Sequence, residues 1–377
     1  MTDHTPFRIE IPDNAIADLN DRLDRTRYPQ QIDDIGWEMG TDVELLEQLC
    51  DHWRHDFDWR QAEARLNEWP QFVAEIDNER LHYAHITSAV EEAIPLVITH
   101  GWPGSISEFL DIVGPLTDPE AHGGRAEDAF HVVLPSIPGF GFSGPTVTRG
   151  NSPERIAGMI ATLMEQLGYD RYIAQGGDWG AIITTHLGRL DPDHLIGIHV
   201  NMPVVRPPAD ADPTPAEQDA IEAMAYYQNV DSGYANIQGT KPQTVGYGLN
   251  DSPAGLAAWI VEKFRQWSDC DGDVFSSYSA DQLLTNIAIY WFTQTAHSSA
   301  RIYFEQRNAE QRTDRVEVPT GVARFPTEIF RPSRRWCETA YNITSWTEFG
   351  RGGHFAAMEV PHLLVGDIRA FAASLRE

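Results

Sequence analysis

Apolar and polar residues alternate through Phe72-Val73-Ala74-Glu75-Ile76 and again through Leu81-His82-Tyr83-Ala84-His85-Ile86, with Asp77-Asn78 between the two stretches. A period of two interrupted by two turn-forming residues predicts a β-hairpin. Downstream the pattern changes. Mainly apolar runs at 96–99, 131–135, 172–174 and 195–200 read as strands covered on both faces, and the intervals 106–116, 153–167 and 181–190 carry helical spacing. After Asn201 comes a loop rich in Pro, Asp and Ala at 203–215. Residues 216–312 then read as helices with no buried strand. Strand pattern returns at 318–325 and 341–349, and an amphipathic helix at 362–375 closes the chain. Ahead of the hairpin, 12–23 and 43–57 are amphipathic helices, and Trp37, Trp53, Trp59 and Trp69 read as anchors fastening an arm onto something larger.

An antiparallel hairpin followed by alternating buried strands and helices predicts an α/β fold with a mainly parallel sheet flanked by helices. The helical block between strands becomes a lid over the carboxyl ends of the sheet. The expected divisions are an N-terminal arm at 1–85, a first core segment at 86–202, a helical lid at 203–315 and a second core segment at 316–377.

The run at 172–174 breaks into Gly176-Gly177-Asp178-Trp179-Gly180 and then a helix. This is the strand-turn-helix setting of a nucleophile elbow, with small residues flanking the exposed centre. Here the centre is Asp178, where the hydrolase pattern has serine. A carboxylate nucleophile needs a base and a third group to orient that base, in the chain order nucleophile, acid, histidine. His354, in Arg351-Gly352-Gly353-His354-Phe355 beyond the last strand, is the expected base; His131, His186 and His199 lie within strands or helices and read as packing or surface residues. Glu328, just past the strand at 318–325, is the first choice of acid. Glu338 and Glu348 are less well placed, and Asp210 or Asp212 after an earlier strand would be the alternative arrangement. The turn His100-Gly101-Trp102-Pro103 should bring the backbone N–H of Trp102 to converge with that of Trp179 as an oxyanion site. His100 is expected to hold this turn by hydrogen bonds, and His100 and Pro103 to border the substrate pocket.

An aspartate nucleophile attacks sp3 carbon and so selects epoxides or alkyl halides over esters and amides. An epoxide needs a proton donor for its oxygen, and tyrosine hydroxyls suit that task; a halide needs N–H donors such as indoles. Tyr234 and Tyr303 stand in the helical block, but spacing alone gives them no role beyond packing.

Composition narrows the partners. With a formal net charge of -28 and only Lys241 and Lys263 as lysines, the chain lacks the basic patches that nucleic acid and anionic membranes require. Cys50, Cys270 and Cys337 are widely spaced, forming neither a disulfide framework nor a zinc motif, and read as packing residues. The opening Met1-Thr2-Asp3-His4-Thr5-Pro6 has no signal-peptide character, so a soluble, cytoplasmic protein is expected.

Phe7-Arg8-Ile9 with Arg27-Tyr28-Pro29, His100-Gly101-Trp102-Pro103-Gly104-Ser105, Gly139-Phe140-Gly141-Phe142-Ser143, the Gly176–Gly180 motif, Leu249-Asn250-Asp251-Ser252-Pro253-Ala254-Gly255-Leu256 and Gly352-Gly353-His354-Phe355 together resemble the microsomal-type epoxide hydrolases, including their juvenile-hormone and fungal branches. The resemblance runs the length of the chain. It implies an α/β-hydrolase core, an inserted helical cap and an N-terminal meander wrapping both. It places the nucleophile on Asp178, the base on His354, the charge-relay acid on Glu328 and the epoxide-protonating hydroxyls on Tyr234 and Tyr303. It implies no cofactor and no metal; the expected partners are an epoxide and water, with a homodimer left open. The membrane anchor of the animal members has no counterpart in the opening residues. The alternative is a haloalkane or haloacid dehalogenase using the same Asp-His-acid set.

Overall fold

The structure is a computed structural model and describes residues 4–208, 212–310 and 312–376. Within these residues nine strands form one sheet: β1 (Thr5–Phe7), β2 (Gln71–Ile76), β3 (Glu79–Ile86), β4 (Ile94–Thr99), β5 (Phe130–Pro135), β6 (Tyr172–Gly176), β7 (Leu195–Val200), β8 (Val316–Arg324) and β9 (Tyr341–Glu348). Their order across the sheet is β1-β2-β3-β5-β4-β6-β7-β8-β9. β1, β2 and β3 meet their neighbours antiparallel, and every pairing from β5 to β9 is parallel. Asp77 and Asn78, both with positive φ, make the predicted hairpin turn.

The parallel strands are covered on both faces, as their mainly apolar runs require. Leu96, Val97, Ile98, Ile173, Ala174, Ile198 and Val200 are all 0% exposed. The helices Pro153–Gln166 and Asp178–Leu190 lie in this layer, and Pro361–Ser374 buries Leu364, Ile368 and Phe371. Between β7 and β8 the described residues are helical, from Pro215–Tyr226 through Ala280–Thr293 to Arg301–Asn308, with a π-helical turn at Tyr227–Asp231. The N-terminal helices dock through Trp53 and Trp59, both buried, with Trp37 and Trp69 packed at the margin of the core. All three cysteines are buried and free. Among the described residues no helix is long and apolar enough to cross a membrane.

Two elements depart from the sequence reading. The helix expected at 106–116 is a single tight turn at Ile106–Phe109 and a separate short helix at Val113–Thr117. Pro115 explains the break: it has no N–H for the carbonyl one turn earlier, so it is tolerated only within a helix's first turn. The segment ahead of the first helix, read without strands, contributes β1, whose Phe7 lies opposite Gln71; three residues are too few to show a period.

Candidate active site

The elbow is built by backbone contact. β4 and β6 run side by side, with Thr99 opposite Gly176, which brings the turn after β4 against the start of the helix Asp178–Leu190. A Cβ on Gly180 would lie 1.9 Å from the Thr99 carbonyl oxygen, and one on Gly101 would lie 2.3 Å from the Asp178 side chain. A side chain at Gly180 would have to displace the end of β4, and one at Gly101 would have to displace the Asp178 side chain. Asp178 takes φ +49°, a left-handed conformation that projects its side chain from the turn.

Asp178 Oδ1 accepts a hydrogen bond from the backbone N–H of Trp102 at 2.7 Å. Trp179 follows in the first turn of the helix, where an N–H has no partner further back along the helix. Asp178 Oδ2 lies 3.5 Å from His354 Nε2, and His354 Nδ1 is 2.6 Å from Glu328 Oε1. The Glu328 oxygen also accepts the Ile329 N–H at 2.6 Å. The side chains of His354 and Glu328 are each 1% exposed. Burial disfavours a charge on His354, but Glu328 and Asp178 together outweigh it and hold the imidazole well above its usual range.

The other acids considered from sequence lie elsewhere. Glu338 pairs with Arg334 and Glu348 with Arg324, both at exposed positions. Asp212 contributes a carbonyl to Arg335, and Asp210 lies outside the described residues. His100 holds the turn: its Nδ1 donates to the Gly101 carbonyl at 3.0 Å and its Nε2 accepts the Ile137 N–H at 3.2 Å, while burial pushes the imidazole down to about 4. It borders the cavity at Asp178 with Trp102, Glu108 and His354. Pro103 does not line that cavity: it faces the helical block instead, where its carbonyl accepts from Asn286 at 2.7 Å.

Helices from the block close over Asp178 with aromatic rings. Tyr234 stacks on Trp102, with centroids 4.8 Å apart and planes inclined 10°. Tyr303 meets the Trp179 ring edge-on at 4.7 Å and Tyr234 at 5.7 Å. Its hydroxyl is buried, with the Tyr234 hydroxyl and the Trp179 indole as polar neighbours and no hydrogen bond of full geometry to either. Trp267 completes the wall against His354 at 5.0 Å. The cavity that Asp178 shares with His100, Glu108 and His354 is lined by none of Tyr234, Tyr303 and Trp267 and holds about 20 Å³, room for about one water molecule.

Several residues here were not singled out from sequence. The Tyr227 hydroxyl lies 3.0 Å from that of Tyr234; the seven-residue spacing, two helical turns, was the available signal. Glu108 lines the cavity, and burial pushes its carboxyl up to about 8. Lys263 and Asp231 form a buried pair beside Tyr234, and nothing in their spacing marks them.

Known proteins resemble this chain along nearly its whole length. Residues 4–109 match the family described as epoxide hydrolase N terminus, and residues 94–250 match the α/β hydrolase fold. A protein of Stigmatella aurantiaca is 47% identical over 99% of this chain and 85% of its own. Epoxide hydrolase 1 of Oryctolagus cuniculus is 37% identical over 97% of this chain and 88% of its own. The chain belongs to the epoxide hydrolase family. Among solved structures of epoxide hydrolases, the Bombyx mori juvenile hormone enzyme superposes with a TM-score of 0.92 at 29% identity, covering 100% of this chain and 95% of that one. The Aspergillus niger epoxide hydrolase follows at 0.88 and 31%, covering 99% and 97%. The match to the epoxide hydrolase N terminus runs through the hairpin and β4 to Phe109.

Proposed function

We propose that this epoxide hydrolase opens an epoxide to a vicinal diol through a covalent ester on Asp178. Oδ2, the carboxylate oxygen not engaged by Trp102, attacks an epoxide carbon, while Tyr234 and Tyr303 give a proton to the departing oxygen. Ester formation cancels the charge on Asp178, one of the two influences that hold the proton on His354. The imidazole therefore becomes a base at the step that needs one. Oriented by Glu328, it takes a proton from water, which attacks the ester carbonyl, and the N–H groups of Trp102 and Trp179 receive the oxyanion.

The observation that carries the epoxide assignment is the convergence of two buried tyrosines over Asp178, one with an unpartnered hydroxyl. The dehalogenase reading draws on Trp179, whose indole N–H is also buried without a partner. The other indole beside His354 is already engaged: Trp267 Nε1 donates to Asp231 at 2.6 Å, which leaves a halide short of a second donor from that ring. Incubation with styrene oxide and with 1-bromobutane tests the choice. Diol from the first is expected, and halide release without any diol would overturn it. A first turnover in heavy-oxygen water, then mass spectrometry of the Asp178 peptide, tests the ester: label enters the aspartate by that route and stays out if water attacks directly.

A further inference from the structure

Of the two lysines in the sequence, Lys241 is exposed and Lys263 is 4% exposed. Lysine is rarely buried unless its charge is answered. Here the Nζ of Lys263 lies 2.6 Å from Asp231 Oδ1 and 2.7 Å from Glu262 Oε2. It also lies 4.7 Å from the centroid of the Tyr234 ring and 5.5 Å from that of Trp267. Asp231 ties the group together, since its second oxygen accepts the Trp267 indole N–H. An apolar side chain of similar length would fill this space without desolvating an ammonium. Its charge has a specific neighbour to act on, the ring of a tyrosine whose hydroxyl must lose a proton.

We propose that Lys263 is a positioning residue for epoxide opening, its cation fixing the Tyr234 ring and stabilising the negative charge that develops on the Tyr234 hydroxyl as it protonates the epoxide oxygen. This rests on the reading of Tyr234 as proton donor given above. In the opening step a bond forms from Asp178 to carbon, the epoxide C–O bond breaks, and the Tyr234 proton passes to the freed oxygen, leaving a phenolate. The proton returns when ester hydrolysis regenerates Asp178 as a carboxylic acid and that acid ionises. The phenolate thus persists through the life of the ester, beside a cation rather than in bare low-dielectric surroundings.

The other neighbours of Tyr234 oppose a charge on its hydroxyl, which is what a cation against the ring would offset. Burial, Tyr303, Tyr227 and Asp178 all push its phenol well above the usual range. Lys263 is the cation against this ring, and Asp231 and Glu262 are the carboxylates that face Lys263.

The test separates the two chemical steps in Lys263→Met and in Lys263→Gln, which retains a polar head for Asp231 should the first variant not fold. Single-turnover ester formation with styrene oxide should slow on the order of tenfold. Its alkaline limb should move to higher pH, while hydrolysis of the preformed ester keeps its wild-type rate. Lys263→Arg should restore most of the loss. In a Tyr234→Phe background the Lys263 substitutions should have no further effect on ester formation. Equal slowing of both steps, or the same Lys263 effect with and without the Tyr234 hydroxyl, would overturn the proposal. Wild-type ester formation in Tyr234→Phe would remove the proton-donor reading and this proposal with it, whereas a slow Tyr234→Phe beside an unaffected Lys263→Met would remove this proposal alone.

Discussion

The sheet side and the helical side of the site meet across the Trp102 ring, yet they hold their groups by different means. On the sheet side, Asp178 is fixed by its own backbone: a positive φ, a helix start, and glycines pressed against the neighbouring turn. His354 and Glu328 follow β9 and β8, and each is secured by a short polar contact. On the helical side, Tyr234 and Tyr303 stand on short helices and are placed by ring-to-ring packing and by one buried ion pair. Backbone placement leaves a mark in sequence, because only glycine fits and the spacing cannot vary. Side-chain packing leaves almost none, because many apolar or aromatic residues satisfy the same contacts.

The largest effect expected from breaking this contrast is on the sheet side. His354→Gln should lower steady-state turnover by about 10³-fold or more and leave one ester per chain on Asp178, seen as a mass increment on that peptide. Replacing both Tyr234 and Tyr303 by Phe should slow epoxide opening by roughly 10²- to 10⁴-fold, with no ester accumulating and an unchanged circular dichroism spectrum. Undiminished turnover in the double variant would mean that the helical side supplies no acid. Stability should divide the sides in the same direction. Gly180→Ala forces a Cβ into the Thr99 carbonyl and should cost about 1–3 kcal/mol in chemical denaturation, more than loss of the Tyr303 hydroxyl, which has no partner to leave behind.

The smallest effect is electrostatic. His82 and His100 are buried and held down to about 3 and about 4, so they stay neutral in the fold while the unfolded chain protonates them below about 6.5. Their share of stability is therefore present above that value and lost as pH falls toward their folded values. His354 has the opposite sign: its raised value gives a contribution that is full below about 6.5 and lost as pH rises through the folded pKa. On acidification from pH 7.5 to 5, His354→Gln should thus lose more Tm than the parent. An equal or smaller loss would contradict the stated direction for His354.

The same division explains what could be read in advance. The hairpin turn at Asp77-Asn78, the buried run of β7 and the Gly-framed Asp178 were legible because backbone geometry demands particular residues there. β1 was too short to show a period, and the break after Phe109 depended on one proline. Tyr234 and Tyr303 were legible only through family resemblance, since their spacing matches ordinary helix packing. Tyr227 left only its seven-residue spacing to Tyr234 as a signal, and Glu108 and Lys263 left none: each of those two acquires its setting from contacts between distant segments, as when the 100–108 turn carries Glu108 to the cavity that also borders His354.

The close approach of Gly180 to Thr99 has a practical consequence for anyone seeking variants with altered substrate range. Randomising residues 176–180 would sample mostly chains that fail to assemble, because a Cβ at Gly180 would overlap the backbone of Thr99 and His100 and one at Gly176 would overlap the backbone of Gly180 and Ala181. Diversity spent on the helices between Pro215 and Asn308 would instead reshape the walls around a reaction centre that stays where it is.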